Sequence, residues 1–301
     1  MNFGFTREIS MADLPVIKEH QFSIPARDGY ELGATHFSPG DRSDQPPGVI
    51  IFHCATATPQ TFYFHCARFF AGQGYEVYTY DYRGIGRSAP ESLKGFTAWV
   101  HTLAEHDMPA VLDRVHVEHS NQELICIGHS VGGQLLGMLD NASLITKAVT
   151  CSAQSGYWKL QGGNQKYMVF FSMYVLFPIL TRLFGYFPWK RFAGGEDLPK
   201  QMALEWAQWC RSKNYLFDDP RLPHLHRYAE FKAPILAYCI SDDDWGTQEA
   251  VHSLMDHYSG APLEYRNVTP QEFGLRSLGH FGYFKRGSES LWQDTLAWIR
   301  S

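Results

Sequence analysis

The chain has 301 residues, 45% hydrophobic and 19% charged, with a formal charge of −5; that supplies one large core and no basic surplus, which excludes nucleic acid as a partner. Six cysteines, at positions 54, 66, 126, 151, 210 and 239, lie scattered in apolar runs without Cys-x-x-Cys spacing. They predict reduced, buried thiols and exclude both a disulfide framework and a thiolate zinc site. The first 18 residues carry no basic segment followed by an apolar one, so a secretory signal is not expected and a cytoplasmic location follows.

In chain order, residues 20–37 place two β-rich runs around Arg27-Asp28-Gly29, which predicts a hairpin turning at Asp-Gly. After a polar, proline-containing loop over 38–47, Val49–Phe52 is continuously apolar, the pattern of a strand buried on both faces of a parallel sheet. His53-Cys54-Ala55-Thr56-Ala57-Thr58 follows, then a predicted helix over 59–73. Tyr75–Tyr80 is the next strand. It closes on Asp81-Tyr82-Arg83-Gly84-Ile85-Gly86, where Asp81 and Arg83 are expected to clamp a tight loop through side-chain bonds to its backbone. A helix expected over 96–116 contains His101 and His106. Five residues apart, they point about 140° from each other around a helix and cannot share a metal ion, so this is read as a solvated helix.

Leu124–Ile127 is a short apolar strand running into Gly128-His129-Ser130-Val131-Gly132 and a helix-forming run over 134–139. A serine lifted on a one-residue turn between strand and helix has a strained backbone, and residues two before and two after it approach too closely for a Cβ. The arrangement projects a hydroxyl above the sheet edge, beside the first N–H groups of the helix. Ser130 is thus the expected nucleophile, and the Val131 N–H the first expected oxyanion donor. The second is expected from the backbone after the Val49–Phe52 strand, Ala55 in first place and Thr56 in second. Residues 145–151 form a further strand.

Strand and helix alternate in the pattern of a doubly wound, mostly parallel α/β sheet. Gly-His-Ser-Val-Gly at 128–132, Asp-Tyr-Arg-Gly-Ile-Gly at 81–86 and Gly-His-Phe at 279–281 resemble the α/β-hydrolase fold superfamily in motif order over nearly the whole chain. Gln154-Ser-Gly-Tyr-Trp158, Gly195-Glu-Asp-Leu-Pro199 and Leu278-Gly-His-Phe281 resemble a poorly characterised bacterial subgroup of predicted α/β hydrolases, which implies no defined substrate.

Some 80 residues then separate this strand from the next, at 234–240, too many for a simple connection. Between Tyr157 and Phe217 lie 16 aromatics in 61 residues. The resemblance implies a helical cap here, over the nucleophile. The apolar run 167–187 raises the question of a membrane span, but Pro178 and Arg182 interrupt it and the flanking strands must meet in one domain. Lys159, Lys166, Arg182 and Lys190, with no acid between 157 and 190, make peripheral membrane contact or attraction of an acidic acyl substrate a second expectation for the cap. The domain division is therefore core 1–154, cap 155–230 and core 231–301.

A serine needs a base, and the base an orienting acid, in the chain order Ser, acid, His. The strand 234–240 leads into Asp242-Asp243-Asp244-Trp245. Similar turns in the superfamily place the acid two residues before a hydrophobic one, which selects Asp243, with Asp242 and Asp244 as alternatives. His280, flanked by glycines after the last predicted strand (262–268), is the base, whereas His252 and His257 lie on the helix after the acid strand and point elsewhere. Together these predict a serine hydrolase cleaving an ester, with thioester, lactone or amide as variants, of a small-molecule apolar acyl or aryl substrate. An acyltransferase with the same triad, and a non-catalytic lipid- or partner-binding protein, are the alternatives. No cofactor or metal is called for, and the oligomeric state is not encoded legibly.

Overall fold

The computed structural model describes residues 16–40, 46–192 and 194–301; most of the N-terminal stretch and part of the 38–47 loop read above lie outside them. Ten strands are present among the described residues: β1 (Ile17–Pro25), β2 (Glu31–Pro39), β3 (Val49–His53), β4 (Glu76–Tyr80), β5 (Leu124–His129), β6 (Lys147–Cys151), β7 (Tyr186–Phe187), β8 (Leu198–Pro199), β9 (Ile235–Ile240) and β10 (Leu263–Val268). Eight build one sheet in the order β1-β2-β4-β3-β5-β6-β9-β10. The first two pairings, β1 with β2 and β2 with β4, are antiparallel; all the others are parallel. The expected fold class is the one observed.

Burial explains the strand sequences. Every residue of β3, β4, β5 and β9 is buried, so both faces of the central sheet are covered and those strands can be apolar throughout. The edge strands β1 and β10 leave their polar residues exposed or half-buried and bury only Ile24 and Val268. Chain order reverses around β3, with β4 on one side and β5 on the other, so the loops leaving β3 and β5 open a crevice at the carboxyl edge where ligands bind in such sheets.

Two helices are locally widened, and proline explains both. The helix expected over 96–116 begins at Val100, passes through a π-turn at Leu103–Asp107 and continues as Met108–Glu118 with Pro109 in its first turn. Gln165–Phe171 likewise runs through a π-turn at Ser172–Leu176 into Phe177–Phe184, with Pro178 in the first turn. Proline lacks an N–H and crowds the carbonyl four residues back, and a turn one residue wider relieves both.

Between β6 and β9, the Gln165–Phe184 helix packs on the helix Lys200–Arg211, braced by the β7–β8 pair. Its buried stripe is Val169, Met173, Phe177 and Thr181, and Phe177 stacks on Phe187 with ring centroids 3.9 Å apart.

The Asp81 loop is clamped as expected. The Asp81 carboxylate accepts from the N–H groups of Gln60 and Arg87 and from the Gln60 side chain, at 2.7–3.0 Å. Arg83 acts differently from the expectation, pairing with the carboxylates of Asp28 and Asp107. His101 is not on a solvated face: its Nδ1 lies 2.6 Å from the buried Glu205 carboxylate, across to the inserted helix.

Candidate active site

Ser130 directly follows β5 with φ 49° and ψ −118°, a backbone conformation that a side chain tolerates only when its surroundings impose it. The Ser130 N–H donates to the Cys151 carbonyl at 3.0 Å, and the Ser130 carbonyl accepts from Gly133 and Gln134. A Cβ on Gly132 would lie 2.2 Å from the His53 carbonyl oxygen, and one on Gly128 would lie 2.5 Å from the Gly133 Cα. Both motif glycines are therefore required by backbone packing.

Asp243 and His280 are brought together. The His280 Nδ1 donates to Asp243 Oδ2 at 2.9 Å, and Asp243 Oδ1 accepts from the N–H groups of Trp245 and Gly246, each at 2.9 Å. A carboxylate only accepts, so Nδ1 carries the proton and Nε2 keeps its lone pair. Burial pushes the Asp243 carboxyl up, but the His280 imidazole and the Gly246 N–H outweigh it and hold the group below its ordinary value.

The neighbouring acids do other work. Asp242 is exposed and accepts from the N–H groups of Leu278 and Gly279, both at 2.9 Å, so it pins the loop that carries His280. Asp244 is exposed as well, and its carbonyl accepts from Gly162 at the start of the insertion. His252 stacks on Tyr265 and His257 on Phe217, away from Ser130, as expected.

A second set of bonds runs beneath the serine. The Ala55 N–H donates to the Tyr63 hydroxyl at 2.8 Å, Tyr63 lies 2.8 Å from His129 Nδ1, and His129 Nε2 lies 2.8 Å from the His280 carbonyl. That carbonyl can only accept, so Nε2 carries the His129 proton and Nδ1 accepts from Tyr63. Burial, with His280 adding to it, lowers the His129 pKa to about 3, which keeps the ring neutral. The chain of bonds ties the loop after β3 to the loop of His280. Nothing in the sequence reading singled out Tyr63 or His129; the available signal was a histidine occupying an otherwise apolar strand end.

These bonds correct one expectation. The Ala55 N–H, placed first as oxyanion donor, is already committed to Tyr63, whereas no hydrogen bond is made by the N–H of Thr56 or Val131 among the described residues.

Ala55, Thr56, Ser130, His280 and Phe281 line one cavity of about 70 Å³. Its remaining walls are Trp189, Trp206 and Trp245: Trp206 and Trp245 stack at 5.9 Å, and Trp189 lies 5.7 Å from Trp206. Two of the three come from the insertion.

Residues 45–191 match the family model described as Hydrolase_4, serine aminopeptidase, S33. Solved structures with similar folds include an esterase of Pyrococcus furiosus, at 14% identity over 98% of this chain and 95% of that one with a TM-score of 0.61. An esterase of Exiguobacterium antarcticum matches at 14% identity, 94% and 100% coverage and a TM-score of 0.59. A third, described as an N-acyl homoserine lactone degrading enzyme, matches at 19% identity, 92% and 99% coverage and a TM-score of 0.57. No curated protein matches the sequence. The family model covers just under half of the chain, and the solved structures, at 14–19% identity, share its α/β-hydrolase fold.

Proposed function

We propose that the protein hydrolyses an ester of an apolar acyl or aryl group through Ser130, Asp243 and His280. The observation that carries this reading is the 2.9 Å bond from His280 Nδ1 to Asp243, which leaves Nε2 basic in the same cavity as the strained serine.

His280 takes the Ser130 proton as the oxygen attacks the acyl carbon, while Asp243 holds the tautomer and favours the imidazolium. The N–H groups of Val131 and Thr56 receive the developing oxyanion, each contributing about 2.7–4 kcal/mol. His280 then protonates the leaving group, and water releases the acid by the reverse sequence. The insertion acts as a cap, its tryptophans excluding water and contacting the acyl group. Each methylene buried there contributes about 0.8 kcal/mol, so chain length dominates affinity.

Labelling with a fluorophosphonate probe, followed by mass mapping, tests the reading. Probe on Ser130 of the wild type, and none on Ser130→Ala or His280→Ala, is expected; a folded wild type that takes no label overturns it. Release of free acid without an added acceptor separates hydrolysis from acyl transfer to an alcohol or amine.

A further inference from the structure

The helix Gln165–Phe184 has 20 residues, is apolar enough to cross a membrane, and buries only 22% of its apolar 18-residue window. It contributes Tyr167, Met168, Phe170, Phe171, Tyr174, Ile179 and Leu183, seven of the eleven large exposed hydrophobics among the described residues, with Leu183 72% exposed. An apolar strip of this extent on a folded protein marks a contact surface.

Charge narrows the choice of partner. From 157 to 192 the chain carries Lys159, Lys166, Arg182, Lys190 and Arg191 and no carboxylate. Lys190 pairs with Glu196 at 2.6 Å; the other four have no carboxylate partner among the described residues. Lys159 and Lys166 stand at the start of the helix and Arg182 and Arg191 at its end. Trp158, Phe170 and Tyr174 form a ladder with centroids 4.8 and 4.4 Å apart, and aromatics of this kind settle at the level of lipid headgroups. An apolar strip bounded at both ends by cations without carboxylate partners complements an apolar layer bounded by negative charge.

Topology decides how the helix would lie. The strands on either side of the insertion are hydrogen-bonded neighbours, with Ala148 opposite Ile235. A chain that leaves and rejoins the same sheet edge must cross a bilayer an even number of times, and this is the single helix among the described residues long and apolar enough to do so. Its inner stripe is also held by the fold. The helix therefore lies in the plane of the surface.

Beside it runs a groove of about 410 Å³ lined by Met168, Met173, Leu176, Phe187 and Phe192 among others, with Trp189 and Trp245 also in its wall. Those two tryptophans also line the Ser130 cavity, so the groove adjoins the site.

We infer that this cap face seats on an anionic lipid surface and that the groove leads an acyl chain of a lipid ester from that surface to Ser130. The second half rests on the proposed nucleophile; the docking itself does not.

Flotation of the full chain with vesicles tests it. Wild type is expected to float with phosphatidylcholine:phosphatidylglycerol 3:1 vesicles, at least tenfold less with phosphatidylcholine alone, and less as salt rises. Arg182→Gln lowers partitioning about fivefold. Phe171→Glu combined with Leu183→Glu abolishes flotation and the hydrolysis of a long-chain ester presented in vesicles, yet leaves turnover of a soluble acetyl ester unchanged. Ser130→Ala floats like wild type, so a failed nucleophile reading leaves flotation intact, and a failed docking reading leaves probe labelling intact. Folded wild type that does not float with the anionic vesicles, or a double variant that floats equally well, overturns the inference. So does a dimer in analytical ultracentrifugation that the double variant converts to monomer, because the strip then covers a second copy of the chain.

Discussion

The two halves of the site are built from different materials. Below, at the carboxyl edge of the sheet, Ser130, His129, Tyr63, His280, Asp243 and Asp242 are held by a connected set of hydrogen bonds of 2.8–3.0 Å. Above, Trp189, Trp206 and Trp245 meet each other through ring faces, and the helix that carries the outer surface is mostly exposed. Hydrogen bonds fix a geometry because an unmade one in a buried place is costly, whereas apolar contacts are tolerant of sliding. The lower half should accordingly set the rate of the chemical step, and the upper half the choice of substrate. Substitutions can break that division if it is wrong.

The largest effect is expected within the acid cluster. Asp243→Asn leaves the shape intact but favours the wrong imidazole tautomer, and should lower kcat about 10⁴-fold. Asp242→Asn keeps one acceptor for the Leu278 and Gly279 N–H groups and should cost tenfold or less. Equal losses in steady-state kinetics would mean that the two carboxylates share the role assigned to Asp243.

Next comes Tyr63→Phe. It leaves the Ala55 N–H and His129 Nδ1 without their partner, which should destabilise the fold by about 1–3 kcal/mol in urea denaturation. It should also lower kcat several-fold with KM nearly unchanged. A rise in KM alone would move Tyr63 out of the positioning chain.

The buried histidine gives the third. His129 is held to about 3 from its ordinary 6.5, so below pH 6.5 the unfolded chain takes up a proton that the native one refuses. The stabilising contribution is complete above 6.5 and falls as pH drops towards 3, by about 1.4 kcal/mol per pH unit. His129→Gln should show a shallower loss of stability between pH 6.5 and 4.5 by that slope; identical slopes would place the proton on His129 in the native state.

The lower half was also the more legible in the sequence. Ser130 stood out as a candidate because a strained turn restricts its neighbours to glycine, and Asp243 and His280 because loop position after a strand narrows the choice. The hairpin, strands and elbow followed from periodicity and turn residues. The Ala55 N–H could not be placed, since a backbone donor leaves no mark on residue identity. Tyr63 and His129 were missed because their bonds join residues 66 positions apart, a separation no local pattern carries. The π-turns before Pro109 and Pro178 were latent in the prolines, but how a helix accommodates a proline depends on what packs against it. The insertion was visible as an aromatic excess; which tryptophans face Ser130 was not, because aromatic density has no period.

The smallest effect sharpens the comparison most. Trp206 is nearly buried, touches both Trp189 and Trp245, and walls the cavity of Ser130 without a hydrogen bond to any proposed catalytic group. Trp206→Leu removes ring surface but keeps an apolar wall, so an acetyl ester, which does not reach it, should be turned over with unchanged kcat and KM. A decanoyl ester loses the burial of one or two methylenes, at about 0.8 kcal/mol each, and its KM should rise roughly four- to fifteenfold with kcat preserved. A fall in kcat for the acetyl ester would show that the aromatic roof also positions His280, whose ring lies 6.0 Å from Trp245, and the two halves would then have to be treated as one.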